Sequence, residues 1–215
     1  MFGIFEKLVH RFIFRLVIKD GFLEEFKGGR RKVSIPNDVK TIRESAFYCR
    51  HGIVQVDIPA NVKIIQNSAF LGCCKLTDVN ISKGVVTIGE GVFTGCESLV
   101  NVTLPDSVTN IGNDCFGGCI SLEKVTLSEC ITIIPRGTFQ NCISLTTVNI
   151  PDNVTEIGEY AFYNCHSLKD ITIPDSVQTI YRTAFEGCNN LTISAHAGSY
   201  AEQFANRNSI PFKAI

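Results

Sequence analysis

Thiols dominate the residues able to do chemistry: ten cysteines stand among 215 residues. Thiols form disulfides, hold soft metals or act as nucleophiles, and spacing decides among these. Cys73, Cys96, Cys119, Cys142, Cys165 and Cys188 recur every 23 residues. One repeated position implies one repeated environment, so these six are expected in a core, packed as small apolar side chains. Stacking would bring neighbours into disulfide range, but parallel side chains bridge poorly. Neither Cys73-Cys74 nor Cys115-x-x-x-Cys119 has zinc spacing, and there is no paired C-x-x-C. No metal and no cofactor are expected. Cys49, Cys74 and Cys130 lie off the ladder and are expected to be more reactive than the ladder thiols, but nothing marks one of them as a nucleophile.

The remaining reactive groups do not assemble into a motif. His10, His51, His166 and His196 share no spacing with carboxylates, and a Cys/His pair would need the fold to bring His51 to Cys49. Acidic residues fall one or two per repeat, mostly in turns, and imply no cleft for paired-carboxylate hydrolysis. No GxGxxG, P-loop, nucleophile elbow or HExxH occurs. No enzyme is expected. With 20 Lys+Arg against 21 Asp+Glu, a net charge of −1 argues against nucleic acid. Lys27, Arg30, Arg31 and Lys32 form a local basic cluster, read as a solvated turn or a contact for an anionic partner.

The elements that carry these residues follow from the period. Phe47, Phe70, Phe93, Phe116, Phe139, Phe162 and Phe185 keep the same interval as the cysteines, as do Leu76, Leu99, Leu122, Leu145, Leu168 and Leu191. Seven copies in register define a repeat solenoid. In residues 145–167, Leu145-x-x-Val148-x-Ile150 has the spacing of a leucine-rich repeat strand, apolar on one face and polar on the other. Pro151 stops the strand, and Asp152-Asn153 turns the chain. Val154 and Ile157 return inward from a second short extended segment, and Ala161-Phe162 reads as one helical or 3₁₀ turn. Gly or Asn precedes each ladder cysteine, which predicts a left-handed corner there. A 23-residue unit cannot bury its own apolar face, so stacking must supply the missing wall.

The pattern I-P-x-x-V-x-x-I-x-x-x-A-F-x-x-C-x-x-L resembles the BspA-like leucine-rich repeat, best at Ile58–Leu76, Leu104–Leu122, Ile150–Leu168 and Ile173–Leu191. Ser82 and Ser128 replace the Pro, Cys115 replaces the Ala, and Arg50 stands where the first Cys would be. The resemblance implies a leucine-rich repeat right-handed coil, with a parallel β-sheet on one face and short strands and 3₁₀/helical turns on the other. It also implies a cell-surface or secreted setting and adhesion to host or matrix proteins.

Three segments are expected: residues 1–32 as an N-terminal segment and capping hairpin, 33–194 as seven repeats, and 195–215 as a C-terminal cap with a short helix. Asp20-Gly21 between two extended runs signals the hairpin over 14–27. Phe2, Phe5, Leu8, Val9 and Phe12 have helical spacing, read as a short helix or strand on the cap, or as a membrane-surface or partner-docking helix. Ser199-x-x-Glu202 is a capping box. No run approaches the roughly 20 apolar residues of a membrane span. No leader or anchor is legible, so localisation stays open: cytoplasmic if the chain is full-length, surface or secreted by the resemblance.

The surface most able to carry function is the outward strand face. One row is Gln55, Asp78, Asn101, Lys124, Thr147 and Asp170; the second is Asp57, Asn80, Thr103, Thr126, Asn149 and Thr172. It is polar, wide and free of aromatics. The expected function is non-catalytic binding of a protein partner by a monomer. Alternatives are an intracellular interaction scaffold, or a carbohydrate-active or enzymatic corner site using Tyr48, Tyr163 or Tyr181.

Overall fold

The computed structural model describes residues 11–13 and 16–215. Three antiparallel strands open the fold: β1 (Arg11–Ile13), β2 (Leu16–Lys19) and β3 (Phe22–Phe26). The hairpin turn falls on Asp20 and Gly21, both at positive φ. The helical reading of residues 1–13 lies outside the described residues up to residue 10, and 11–13 form β1.

From residue 32 the chain alternates between two parallel stacks. The first holds β4 (Lys32–Ser34), β6 (Gln55–Ile58), β8 (Asp78–Ile81), β10 (Asn101–Thr103), β12 (Lys124–Thr126), β14 (Thr147–Val148), β16 (Asp170–Thr172) and β18 (Thr192–Ala195). The second holds β5 (Thr41–Ile42), β7 (Ile64–Ile65), β9 (Thr87–Ile88), β11 (Asn110–Ile111), β13 (Ile133–Ile134), β15 (Glu156–Ile157) and β17 (Thr179–Ile180). Strand β3 joins this second sheet parallel to β5, so the hairpin covers its first edge. Helix α1 (Tyr200–Arg207) and β19 (Phe212–Ala214) end the described chain, with β19 parallel to β18.

Backbone hydrogen bonds fix the register between coils. The N–H of Phe47, Phe70, Phe93 and Phe116 donates to the carbonyl of Ala69, Val92, Cys115 and Thr138, at 2.7, 3.0, 2.8 and 2.9 Å. Each turn is therefore hydrogen-bonded to the next, which an inserted residue would break. The turns between the stacks close through i→i−3 bonds, such as Cys96 N to Phe93 O at 3.0 Å, and form no continuous helix. The expected left-handed corner is present: Gly118 has φ +70° and Asn164 +59°.

Side-chain ladders fill the interior. The rings of Phe70, Phe93, Phe116 and Phe139 stack at 5.5–5.6 Å, nearly parallel. The stack starts with Phe26 of the hairpin and ends edge-on against Phe204 of α1. Burying each ring is worth about 1.5–3 kcal/mol.

The sequence departures have local explanations. Ser82 keeps an N–H that proline would lack, and donates it to Ile58 O at 3.0 Å. Ser128 is fully buried; its hydroxyl donates to Val108 O at 2.6 Å and accepts from Cys130 N at 3.1 Å. At the helix, Ser199 accepts from Glu202 N as expected of a capping box. The return arm differs: the Glu202 carboxylate accepts from Gly198 N at 2.6 Å. The Ser199 N–H is already used by His196 O, which leaves Gly198 as the free donor.

Candidate binding face and the thiol ladder

Eleven of the twelve expected face residues lie on strands of the first stack, which is hydrogen-bonded as three three-stranded sheets, and Asn149 follows β14. Register pairs Gln55 with Asp78, Asp57 with Asn80, Asn101 with Lys124, Thr103 with Thr126, and Lys124 with Thr147. Thr147, Asn149, Asp170 and Thr172 continue the two rows and line one shallow trough of 830 Å³. The alternation that exposes them buries Val56, Val102, Val125 and Ile171 beneath.

The rows extend beyond the expected residues. Lys32 and Ser34 pair with Gln55 and Asp57, one coil earlier. Their interval of 23 residues made them findable. Thr192 and Ser194 pair with Asp170 and Thr172, at an interval of 22. The period breaks there because Leu191 and Ile193 are both buried, one residue closer than Leu168 and Ile171.

Most side chains of this face have no internal contact among the described residues. Asn80, Asn101, Thr103, Lys124, Thr126, Thr147 and Thr172 make no side-chain hydrogen bond or ion pair among the described residues. Others are engaged locally: Asp57 accepts from Ser34 and Gln55, Asp170 from Ser194, and Asn149 from Leu127 N. A second trough of 910 Å³ lies over the earlier coils and is bordered by Asp57, Asp78, Asp106 and Glu129. Asp175 at the far end meets His196 Nδ1 at 2.7 Å.

The tyrosines do not form a platform. Tyr48 and Tyr163 sit on turns of different coils, and Tyr181 borders a trough over the second sheet with Ile133 and Arg136. Tyr163 packs edge-on against Tyr160 instead. Likewise His51 and His166 are exposed on separate coils, and the His166 ring contacts Gly187 O at 3.0 Å.

The ladder cysteines do more than fill space. Each Sγ donates to the carbonyl of the phenylalanine 26 residues earlier: Cys73 to Phe47, Cys96 to Phe70, Cys119 to Phe93, Cys142 to Phe116, Cys165 to Phe139 and Cys188 to Phe162, at 3.0–3.3 Å. Those carbonyls also accept the N–H three residues on, so both lone pairs are used. A purely apolar reading misses this donor. Burial pushes the Cys73 and Cys142 thiols up to about 12, and raises Cys96, Cys115 and Cys119 as well. Cys49 and Cys130 are exposed and Cys74 is half-buried. Among the described residues no group of three or more His, Cys, Asp or Glu is placed to hold a metal, and no helix is long and apolar enough to cross a membrane.

Comparison with known proteins follows the same lines. No curated protein matches the sequence. A leucine-rich repeat protein of T. pallidum is similar over 90% of this chain and 91% of its own, at 25% identity and a TM-score of 0.76. A leucine-rich cell surface protein of Faecalibacterium prausnitzii is 30% identical over 84% of this chain and 56% of its own, with a TM-score of 0.59. A leucine-rich repeat protein of Eubacterium ventriosum shares the fold at 23% identity and a TM-score of 0.52, over 75% of this chain and 60% of its own. The profile of the BspA type leucine-rich repeat region matches residues 26–97 and 63–192. With Phe and Cys ladders in one register and two parallel stacks of short strands, the chain belongs to the BspA-type leucine-rich repeat family.

Proposed function

We propose that this chain is a non-catalytic binding module that presents the β4–β18 face to a protein partner. The observation that carries the reading is the set of seven polar side chains on that face with no hydrogen bond or ion pair among the described residues. Such groups are hydrated in the free protein and can exchange water for a partner at small cost. The rigid repeat holds them in fixed rows, which lowers the ordering entropy of binding. Similarity to a leucine-rich cell surface protein supports adhesion at a cell surface as the setting. The full binding surface comprises Lys32, Ser34, the twelve residues of the two rows and Thr192; Ser194 is buried and donates to Asp170. The three-segment division at residues 32 and 194 belongs to the same reading: caps close the ends and the repeats bind.

The test uses the intact chain as bait, then titrates the recovered partner against variants. Asp78→Lys combined with Lys124→Glu reverses two charges without touching the core. It is expected to keep the far-UV spectrum and Tm and to weaken binding at least tenfold. Asn110→Lys, on the second sheet, is expected to change affinity less than twofold. Binding lost in Asn110→Lys and kept in the double variant would move the site to the other sheet and refute the proposal.

A further inference from the structure

The two stacks are not finished alike at their first edges. Strand β3 of the hairpin pairs with β5 and covers the first edge of the second stack. In the first stack, β4 pairs only with β6 and is outermost in its sheet. The Arg31 carbonyl accepts from Gln55 N at 2.9 Å, and Ile35 N donates to Asp57 O at 3.0 Å. Arg31, Val33 and Ile35 thus turn their peptide groups toward β6, and the N–H and C=O of Lys32 and Ser34 point the other way. Among the described residues these outward peptide groups have no hydrogen-bond partner. Beside them lies a cavity of 170 Å³ lined by Leu16, Phe26, Arg30, Lys32, Val33 and Ser34. Its floor is apolar and its rim is cationic. Lys27, Arg30, Arg31 and Lys32 stand here, and residues 27–37 contain no acid. Arg31 and Lys32 are exposed and have no ion pair among the described residues.

We propose that the open edge of β4 binds an extended acidic segment of a protein partner, which adds a strand to the first stack. Main-chain groups of the segment pair with the outward N–H and C=O of Lys32 and Ser34. Side chains of a strand alternate between faces, so the residue beside Val33 is apolar and enters the cavity over Leu16 and Phe26. Its two neighbours fall beside Lys32 and Ser34, where carboxylates meet the Arg31 and Lys32 cations. The recognised pattern is therefore acid, aliphatic, acid. Charge selects this occupant over a second copy of the chain. The outermost strands at the ends of the stacks, β1, β4 and β19, carry Arg11, Lys32 and Lys213, and pairing any of them with β4 brings like charges together. Lysine on an edge also deters neutral strands, which leaves an acidic one favoured. This edge recognises main chain, whereas the polar rows recognise a partner through side chains.

The test titrates the full chain with a terminally blocked Glu-Glu-Val-Glu-Glu peptide at low salt and follows backbone amides by NMR and hydrogen exchange. Saturable binding is expected. The Lys32 and Ser34 amides should exchange fast in the free chain and at least tenfold more slowly when the peptide saturates it. Two further peptides carry N-methyl groups on one or the other alternate set of amides and keep every charge. One should bind at least tenfold more weakly and the other less than threefold, because only one set faces β4. Arg31→Glu combined with Lys32→Glu should abolish binding with Tm unchanged, and Lys213→Glu, on β19, should alter it less than twofold. Slow exchange at Lys32 and Ser34 in the free chain would mean that the edge is already paired, and would overturn the proposal. So would absence of binding, equal binding by all three peptides, or equal affinity for inorganic polyphosphate.

Discussion

Raising the pH should unfold this protein through its core. Six thiols, Cys73, Cys96, Cys115, Cys119, Cys142 and Cys165, are raised, five of them chiefly by burial and Cys165 by the Cys188 contact and burial. In the unfolded chain each ionises near 8.5. Above that pH the unfolded state has lost these protons and the folded state keeps them. The slope of unfolding free energy with pH is therefore negative, and the stability present below 8.5 is lost as pH rises toward about 12. Each thiol then costs about 1 kcal/mol by pH 9.5, and the six together cost several kcal/mol, less what the lowered Cys188 returns. Domains of this kind carry about 5–15 kcal/mol in total. Unfolding by urea, followed by far-UV circular dichroism at pH 7.0, 8.0, 9.0 and 9.5 under reductant, reads the effect directly. Stability should fall steeply between pH 8.5 and 9.5, before Tyr and Lys titrate. Replacing Cys119 and Cys142 by Ala should cut the pH-dependent loss by about one third. A flat profile to pH 9.5, or an unchanged slope in the double variant, would refute the argument.

The aromatic ladder gives a second prediction. Phe116 is fully buried between rings at 5.5 and 5.6 Å, and its backbone is pinned to the next coil, so the site cannot collapse. Phe116→Ala should cost about 3–5 kcal/mol in urea unfolding and Phe116→Leu about 1–1.5 kcal/mol; a loss under 1 kcal/mol for Ala would show that the coils close over the gap. At the C-terminal cap, Ser199→Ala removes the acceptor of Glu202 N and should cost about 1 kcal/mol, read as a lowered Tm, with Ser199→Asp close to wild type.

Much of the fold is legible in one repeat. Phe116 and Cys119 share an interval with their copies, so one burial assignment places all the rungs. The Asp20-Gly21 turn and the Ser199 cap are local signals and appear where the spacing puts them. The polar strand-face rows are legible through strand alternation, as at Lys124 above the buried Val125. Three things were not. The thiol-to-carbonyl bonds join residues 26 apart, across two coils, and nothing in residue type predicts that a Cys would donate to Phe O. The shortened interval before Thr192 depends on which apolar residue of 191–193 the cap needs buried. The return arm of the capping box depends on whether Ser199 N is already taken.

The sequence alone determined the architecture, because a 23-residue rhythm admits one economical solution: stack the units and bury the common positions. Only the tertiary structure decided the chemistry of those positions. It made the ladder cysteines hydrogen-bond donors, left Cys188 half-buried on the last coil, and showed which strand-face groups lack partners among the described residues. These outcomes depend on contacts between neighbouring coils, and a linear period records that a position repeats but not what lies above and below it.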